Sequence, residues 1–131
     1  MSQRNGPIVV CVLLLTAAAV LGGSLELKKR AGDYDVSVTI DKNPPVVGRN
    51  TIEIGIRDPA GAPVLDAEVL VNYYMPPMPR MAPMNYRVEA KMRGGTYKAR
   101  MDLIMAGPWY VAVKITRKDK TVTAKFNIDA R

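Results

Sequence analysis

Past Ala31 the sequence settles into a two-residue period, and that period constrains the fold more than any other feature. Val36, Val38 and Ile40 alternate with Ser37, Thr39 and Asp41, and Ile52, Ile54 and Ile56 alternate with polar neighbours. Val69, Val71 and Tyr73 form the next apolar set, followed by Tyr86, Val88 and Ala90, then Tyr97, Ala99 and Met101. Trp109, Val111, Val113 and Ile115 come after these, and Val122, Ala124, Phe126 and Ile128 close the series. Side chains one apart point to opposite faces of a strand, so each run has one apolar face and one polar face. Turn chemistry separates the runs: Pro44-Pro45, residues 58–63 (DPAGAP), Gly94-Gly95, Gly107-Pro108 and Lys118-Asp119-Lys120. Seven strands, each buried on one side only, require two sheets packed face to face. The expected fold is therefore all-β, an immunoglobulin-like sandwich of about seven strands.

Ahead of this domain lies a different kind of segment. Residues 8–23 read IVVCVLLLTAAAVLGG, with Arg4 before them and small residues at their end. That order of positive start, apolar run and small residues is the grammar of a secretory signal peptide. At about 16 residues the run falls short of the roughly 20 that a spanning helix uses, so a cleaved signal leads and a retained inner-membrane anchor stands second. Cys11 lacks the small-residue setting of a lipidation site, and Lys28, Lys29 and Arg30 just past the run fit neither reading well. The expected organisation is a signal peptide or membrane anchor over residues 1–23, a linker over 24–33 and a sandwich over 34–131. Localisation follows as periplasmic or cell envelope.

Several functions are removed by what the chain lacks. It contains no histidine, and its one cysteine, Cys11, lies in the apolar run. No Ser-His-Asp triad, Cys-His pair or His-ligated zinc site is available, and the domain has no thiolate. The acidic residues show no calcium-loop spacing, and no glycine-rich phosphate loop is present. The formal charge of +7 falls to +4 from Ala31 onward, from 15 basic and 11 acidic residues, and the cations are scattered along the strands. Nucleic acid is not an expected partner, because a nucleic-acid face wants clustered cations with exposed aromatics. An enzyme is not expected either.

One segment carries distinctive chemistry. Residues 75–84 read MPPMPRMAPM, so four of the chain's eight methionines recur at a spacing of three with four prolines between them. A polyproline II segment has three residues per turn, which would set Met75, Met78, Met81 and Met84 along one edge about 9 Å apart. Two neighbours could then share one soft ion, and all four only if the loop folds back. Thioethers select Cu(I) over zinc, magnesium or calcium. Three readings stay open from spacing alone: Cu(I) binding by these four residues, contact with a partner, and plain packing over the open end of the sandwich. Arg80 is read as solvent-facing, with no ligand role. Trp109 is read as a core aromatic, with a cation–π lid over a Cu(I) site as the functional alternative. Met92, Met101 and Met105 are read as core, with Met92 or Met105 as a supplementary ligand should a sheet end lie near the loop.

The Met/Pro loop, Gly94-Gly95 with Tyr97, and Met105-Ala106-Gly107-Pro108-Trp109 together resemble the YtkA-like domains, over residues 35–128. Met75 to Met78 and Gly107 to Trp109 are the matching positions. These domains are similar to the periplasmic part of FixH-like proteins, which accompany cbb3-type cytochrome oxidase and its copper supply. The resemblance implies a non-enzymatic role in envelope metal handling. Its alternative implication is an accessory or assembly subunit that docks a membrane complex, either a cytochrome oxidase or a metal-efflux system. Histidine often joins the methionines in related copper proteins, and here there is none, which leaves Cu(I) rather than Cu(II) as the expected ion.

Overall fold

The computed structural model describes residues 23–131; the signal or anchor segment and Cys11 lie outside the described residues. Eight strands form: β1 (Leu25–Ala31), β2 (Tyr34–Ile40), β3 (Gly48–Arg57), β4 (Glu68–Tyr74), β5 (Asn85–Arg93), β6 (Thr96–Leu103), β7 (Gly107–Arg117) and β8 (Lys120–Ala130). All pairings are antiparallel, in the order β1-β2-β3-β6-β5-β4-β7-β8. The expected seven runs are all strands, and the expected sandwich is present. Strands β2, β3, β6 and β5 against β4, β7 and β8 reproduce the immunoglobulin-like distribution of strands between two sheets.

The eighth strand corrects the expected linker. Residues 25–31 pair along their whole length with β2, from Leu25 opposite Ile40 to Ala31 opposite Tyr34. The segment LELKKRA buries little, with only Ala31 fully inside, so its apolar period is too weak to read from sequence. The backbone ladder to β2 orders it instead.

Strand β5 joins the two layers. Its first part, Asn85 to Ala90, pairs with β4, and its last three residues pair with β6. The opposite edges approach each other, where the Lys29 ammonium donates to the Lys125 carbonyl at 2.7 Å. The interior is lined by the alternating residues of every strand from β2 to β8, among them Ile40, Ile52, Ile54, Val71, Met101, Trp109, Val113 and Ile115. Burial of these apolar faces is the main force holding the layers together.

Antiparallel pairing sorts the connections into two groups. One end carries the short turns at residues 32–33, 94–95 and 118–119 and the β3–β4 connection. Gly94 and Gly95, with φ of 61° and 93°, make the two-residue turn between Arg93 and Thr96, a conformation open to glycine at little cost. The other end carries the β2–β3 loop, residues 75–84, residues 104–106, the start of β1 and the end of β8. At that end Asn50 is fully buried, and its amide accepts from Val46 N–H and donates to the Val46 and Gly48 carbonyls at 2.8–3.1 Å. The β2–β3 loop is thereby closed onto the sheet.

The turn end has its own buried polar anchor. The Tyr97 hydroxyl donates to the Val64 carbonyl at 2.9 Å and accepts from Ala67 N–H at 3.0 Å, tying the β3–β4 loop to β6. Burial pushes the Tyr97 phenol up, and the Asp66 carboxylate adds to it. A folded-state value raised above the unfolded one favours the fold fully below about pH 10 and loses that contribution as pH rises through the folded value. Tyr97→Phe is expected to lower stability by about 1–3 kcal/mol at neutral pH, by orphaning both backbone groups. Denaturant melts between pH 8 and 11 check it: the variant should lose less stability over that range than the parent chain.

Candidate metal centre

The Met/Pro segment leaves the end of β4 and returns at the start of β5, so its shape is set by two strands that are already paired. Tyr74 lies opposite Asn85, and Met75 N–H continues the ladder by donating to the Met84 carbonyl at 3.1 Å. Within the loop, Met81 N–H donates to the Met78 carbonyl at 3.2 Å. Pro79 and Arg80 are the central residues of that turn, and Arg80 has φ of 66°, the arrangement of a type II turn. The loop therefore doubles back and does not run as an extended polyproline edge. The expected 9 Å spacing gives way because the strand ladder fixes the loop ends side by side, and prolines are accommodated in the turn.

Folding back brings all four methionines to one place. Met75, Met78, Met81 and Met84 line a single cavity of about 290 Å³, together with Tyr74, Pro76, Pro77 and Pro83. Their burial is graded. Met75 is 7% exposed, Met78 and Met84 are half-buried against the core, and Met81 is 41% exposed. Plain packing thus accounts for Met75 in part, and least for Met81. The donors that these four side chains bring to the cavity lining are thioether sulfurs, soft and uncharged, suited to Cu(I) and to no hard cation. Among the described residues no group of three or more His, Cys, Asp or Glu gathers anywhere. Arg80 is exposed at the turn, as expected.

The floor of the loop is fixed by β7. Gly107 has φ of 122°, and a Cβ placed there would stand 3.2 Å from the Met75 methyl. Glycine at this position provides both the backbone conformation and the room in which Met75 lies. Behind it Trp109 is buried, with ring centroids 6.0 Å from Tyr73 and 6.4 Å from Tyr86, and its indole N–H donates to the Met105 carbonyl at 2.9 Å. Trp109 belongs to the core and does not line the cavity, so the lid reading is set aside. Met105 sits half-buried in the neighbouring loop. Met92 pairs with Tyr97 beside the Gly94-Gly95 turn, at the far end of the sandwich, which removes it as a supplementary ligand.

Sequence reasoning passed over the aromatic side of the cavity. Tyr74 packs against Tyr110 at 5.3 Å between centroids, and the Lys125 ammonium stands 4.5 Å from the Tyr110 ring. The signal was the Tyr73-Tyr74 doublet, since alternation must put one ring inside and the other outside.

The turn offers a direct check on loop geometry. Arg80→Gly is expected to raise stability by about 0.5–1 kcal/mol, because a left-handed residue bearing a Cβ is strained where glycine is not. A thermal melt that falls instead would show that the Arg80 side chain contributes to the loop.

The family model described as YtkA-like matches residues 28–114. Among solved structures, the PmoD soluble domain from Methylocystis sp. (Rockwell) superposes with a TM-score of 0.57 at 18% identity, covering 79% of this chain and 96% of that one. At that identity the likeness is one of fold. No curated protein matches the chain.

Proposed function

This chain belongs to the YtkA-like family, and from that premise we propose that it is an extracytoplasmic, non-enzymatic domain that binds Cu(I) through the thioethers of its Met/Pro loop. The observation that carries the reading is the convergence of Met75, Met78, Met81 and Met84 on one cavity. Four evenly spaced methionines in a loop need not meet, and here the strand ladder and a type II turn bring them together. The cavity is floored by the buried Met75, and Met81 is its most exposed methionine. The family resemblance to domains that accompany copper supply, the apolar run at residues 8–23 and the naming of the structural neighbour as a soluble domain all support an envelope location. When bound, Cu(I) would supply a soft cation held for delivery. The chain's own residues orient the sulfurs and exclude water beneath them.

Methyl-labelled methionine makes the reading testable in the folded protein. Cu(I), added under reducing conditions, should shift the ε-methyl signals of Met75, Met78, Met81 and Met84 together at one equivalent. Met92, at the far end, and Met101, in the core, should stay in place. Four unmoved loop signals would overturn the proposal.

A further inference from the structure

We propose that the loop end of the sandwich is a lipid-facing surface, with Val47, Ile104 and Met81 seated at the interfacial region of a bilayer. The described residues include four large apolar side chains that stand well out in solvent: Val47 at 46% exposure, Leu65 at 52%, Met81 at 41% and Ile104 at 56%. Only Leu65 lies at the turn end. The other three come from three different loops of the opposite end.

Register brings them into one patch. Gly48 pairs with Leu103, so the next residues outward, Val47 and Ile104, fall side by side. Three residues after Ile104, Gly107 lies against the Met75 methyl at the root of the Met/Pro loop, whose turn carries Met81. Val47 is held there from both sides: its N–H donates to the Arg131 carbonyl at 3.1 Å, and Asn50 closes the loop that carries it. Exposed Pro44, Pro77, Pro83 and Ala106 extend the apolar character of this end. Loops presenting aliphatic residues at one pole of a rigid domain match the chemistry of an interfacial anchor, in which apolar side chains enter the headgroup boundary.

Retained as an anchor, the second of the two readings of residues 8–23, the apolar run supplies the cover for this patch. The apolar run at residues 8–23 is separated by Ser24 alone from Leu25, the first residue of β1, and β1 begins at the loop end. An extended chain spans about 3.5 Å per residue, so a run lodged in a bilayer holds this end within about 10 Å of the lipid surface. The opposite pole, with the turns at residues 32–33, 94–95 and 118–119, then points away. Arg80, beside Met81, is placed to meet lipid phosphates. The inference does not depend on Cu(I) binding, and its test uses positions outside the ligand set.

The test uses the full chain, with Cys11 replaced by serine and a single cysteine introduced at position 47, 104 or 119. Each variant carries an environment-sensitive fluorophore and is reconstituted in vesicles of phosphatidylethanolamine and phosphatidylglycerol containing lipids with a headgroup nitroxide. Labels at 47 and 104 should be quenched several-fold more than the label at 119. Adding Val47→Glu to the chain labelled at 104 should reduce that quenching. Equal quenching at all three positions would overturn the proposal. Blue-shifted emission at 47 and 104 without nitroxide quenching would also overturn it, since a protein surface would then cover the patch: a second copy, a membrane protein or the chain's own apolar run.

Discussion

Replacing Trp109 with alanine is expected to cost the domain about 3–5 kcal/mol, the largest stability loss of any single truncation we anticipate. Trp109 is 1% exposed and is the largest fully buried side chain among the described residues. It packs on Tyr73 and Tyr86, and those two rings are themselves 5.4 Å apart. Its removal leaves a hole shared by β4, β5 and β7, which their mutual ladders keep from collapsing to fill it. It also leaves the Met105 carbonyl without its indole donor. Domains of this size hold about 5–15 kcal/mol in total, so the urea midpoint should fall by about a fifth or more. Trp109→Phe separates the two contributions. It keeps most of the ring packing and loses the hydrogen bond, and its cost should be about 1–2 kcal/mol. Equal losses in the two variants would mean that packing on the tyrosines is not the source of the effect.

The second large effect concerns affinity rather than stability. Changing Met75, Met78, Met81 and Met84 together to leucine should weaken Cu(I) binding by at least about 100-fold, equivalent to about 2.7 kcal/mol. Leucine is close to methionine in volume, and such exchanges usually cost under about 1.5 kcal/mol each, so the fold should survive. The single variants should differ in a way the geometry dictates. Met75→Leu should carry the greatest stability cost, since its methyl is fitted against Gly107. Met81→Leu should be nearly neutral for stability, because its side chain is the most exposed of the four. Competition with a Cu(I)-specific chelator measures the affinities. A quadruple variant that competes as well as the parent chain would remove the thioether assignment.

How much of this was legible beforehand divides along physical lines. Strands with a strong apolar period were readable: Val36, Val38 and Ile40, or Ile52, Ile54 and Ile56, announce a half-buried strand and fall inside β2 and β3. Strand β1 was not, because LELKKRA is ordered by hydrogen bonds to β2 and not by a buried face. The chemistry of the Met/Pro loop was legible as residue type and spacing, while its shape was not. The type II turn at Pro79-Arg80 places a left-handed residue at arginine, where sequence habits look for glycine or asparagine. Gly107 carried a hint that went unused. A glycine with positive φ can be a mere strand start, and its role as the floor under Met75 appears only when two loops far apart in sequence are superposed in space. The exposed patch was illegible for the same reason, since Val47, Met81 and Ile104 come from three loops widely spaced in sequence.

The pairing of β1 with a single neighbour has a mechanical consequence. β1 starts, and β8 ends, at the same pole, and no ladder joins the two strands across the 2.7 Å contact between Lys29 and Lys125. A pull applied at Leu25 away from Ile40 therefore loads the rungs of the β1–β2 ladder one at a time, as a zipper opens, and not all at once. Force transmitted through the N-terminal tether would peel this strand first and leave the seven-stranded body, with its loop of sulfurs, intact.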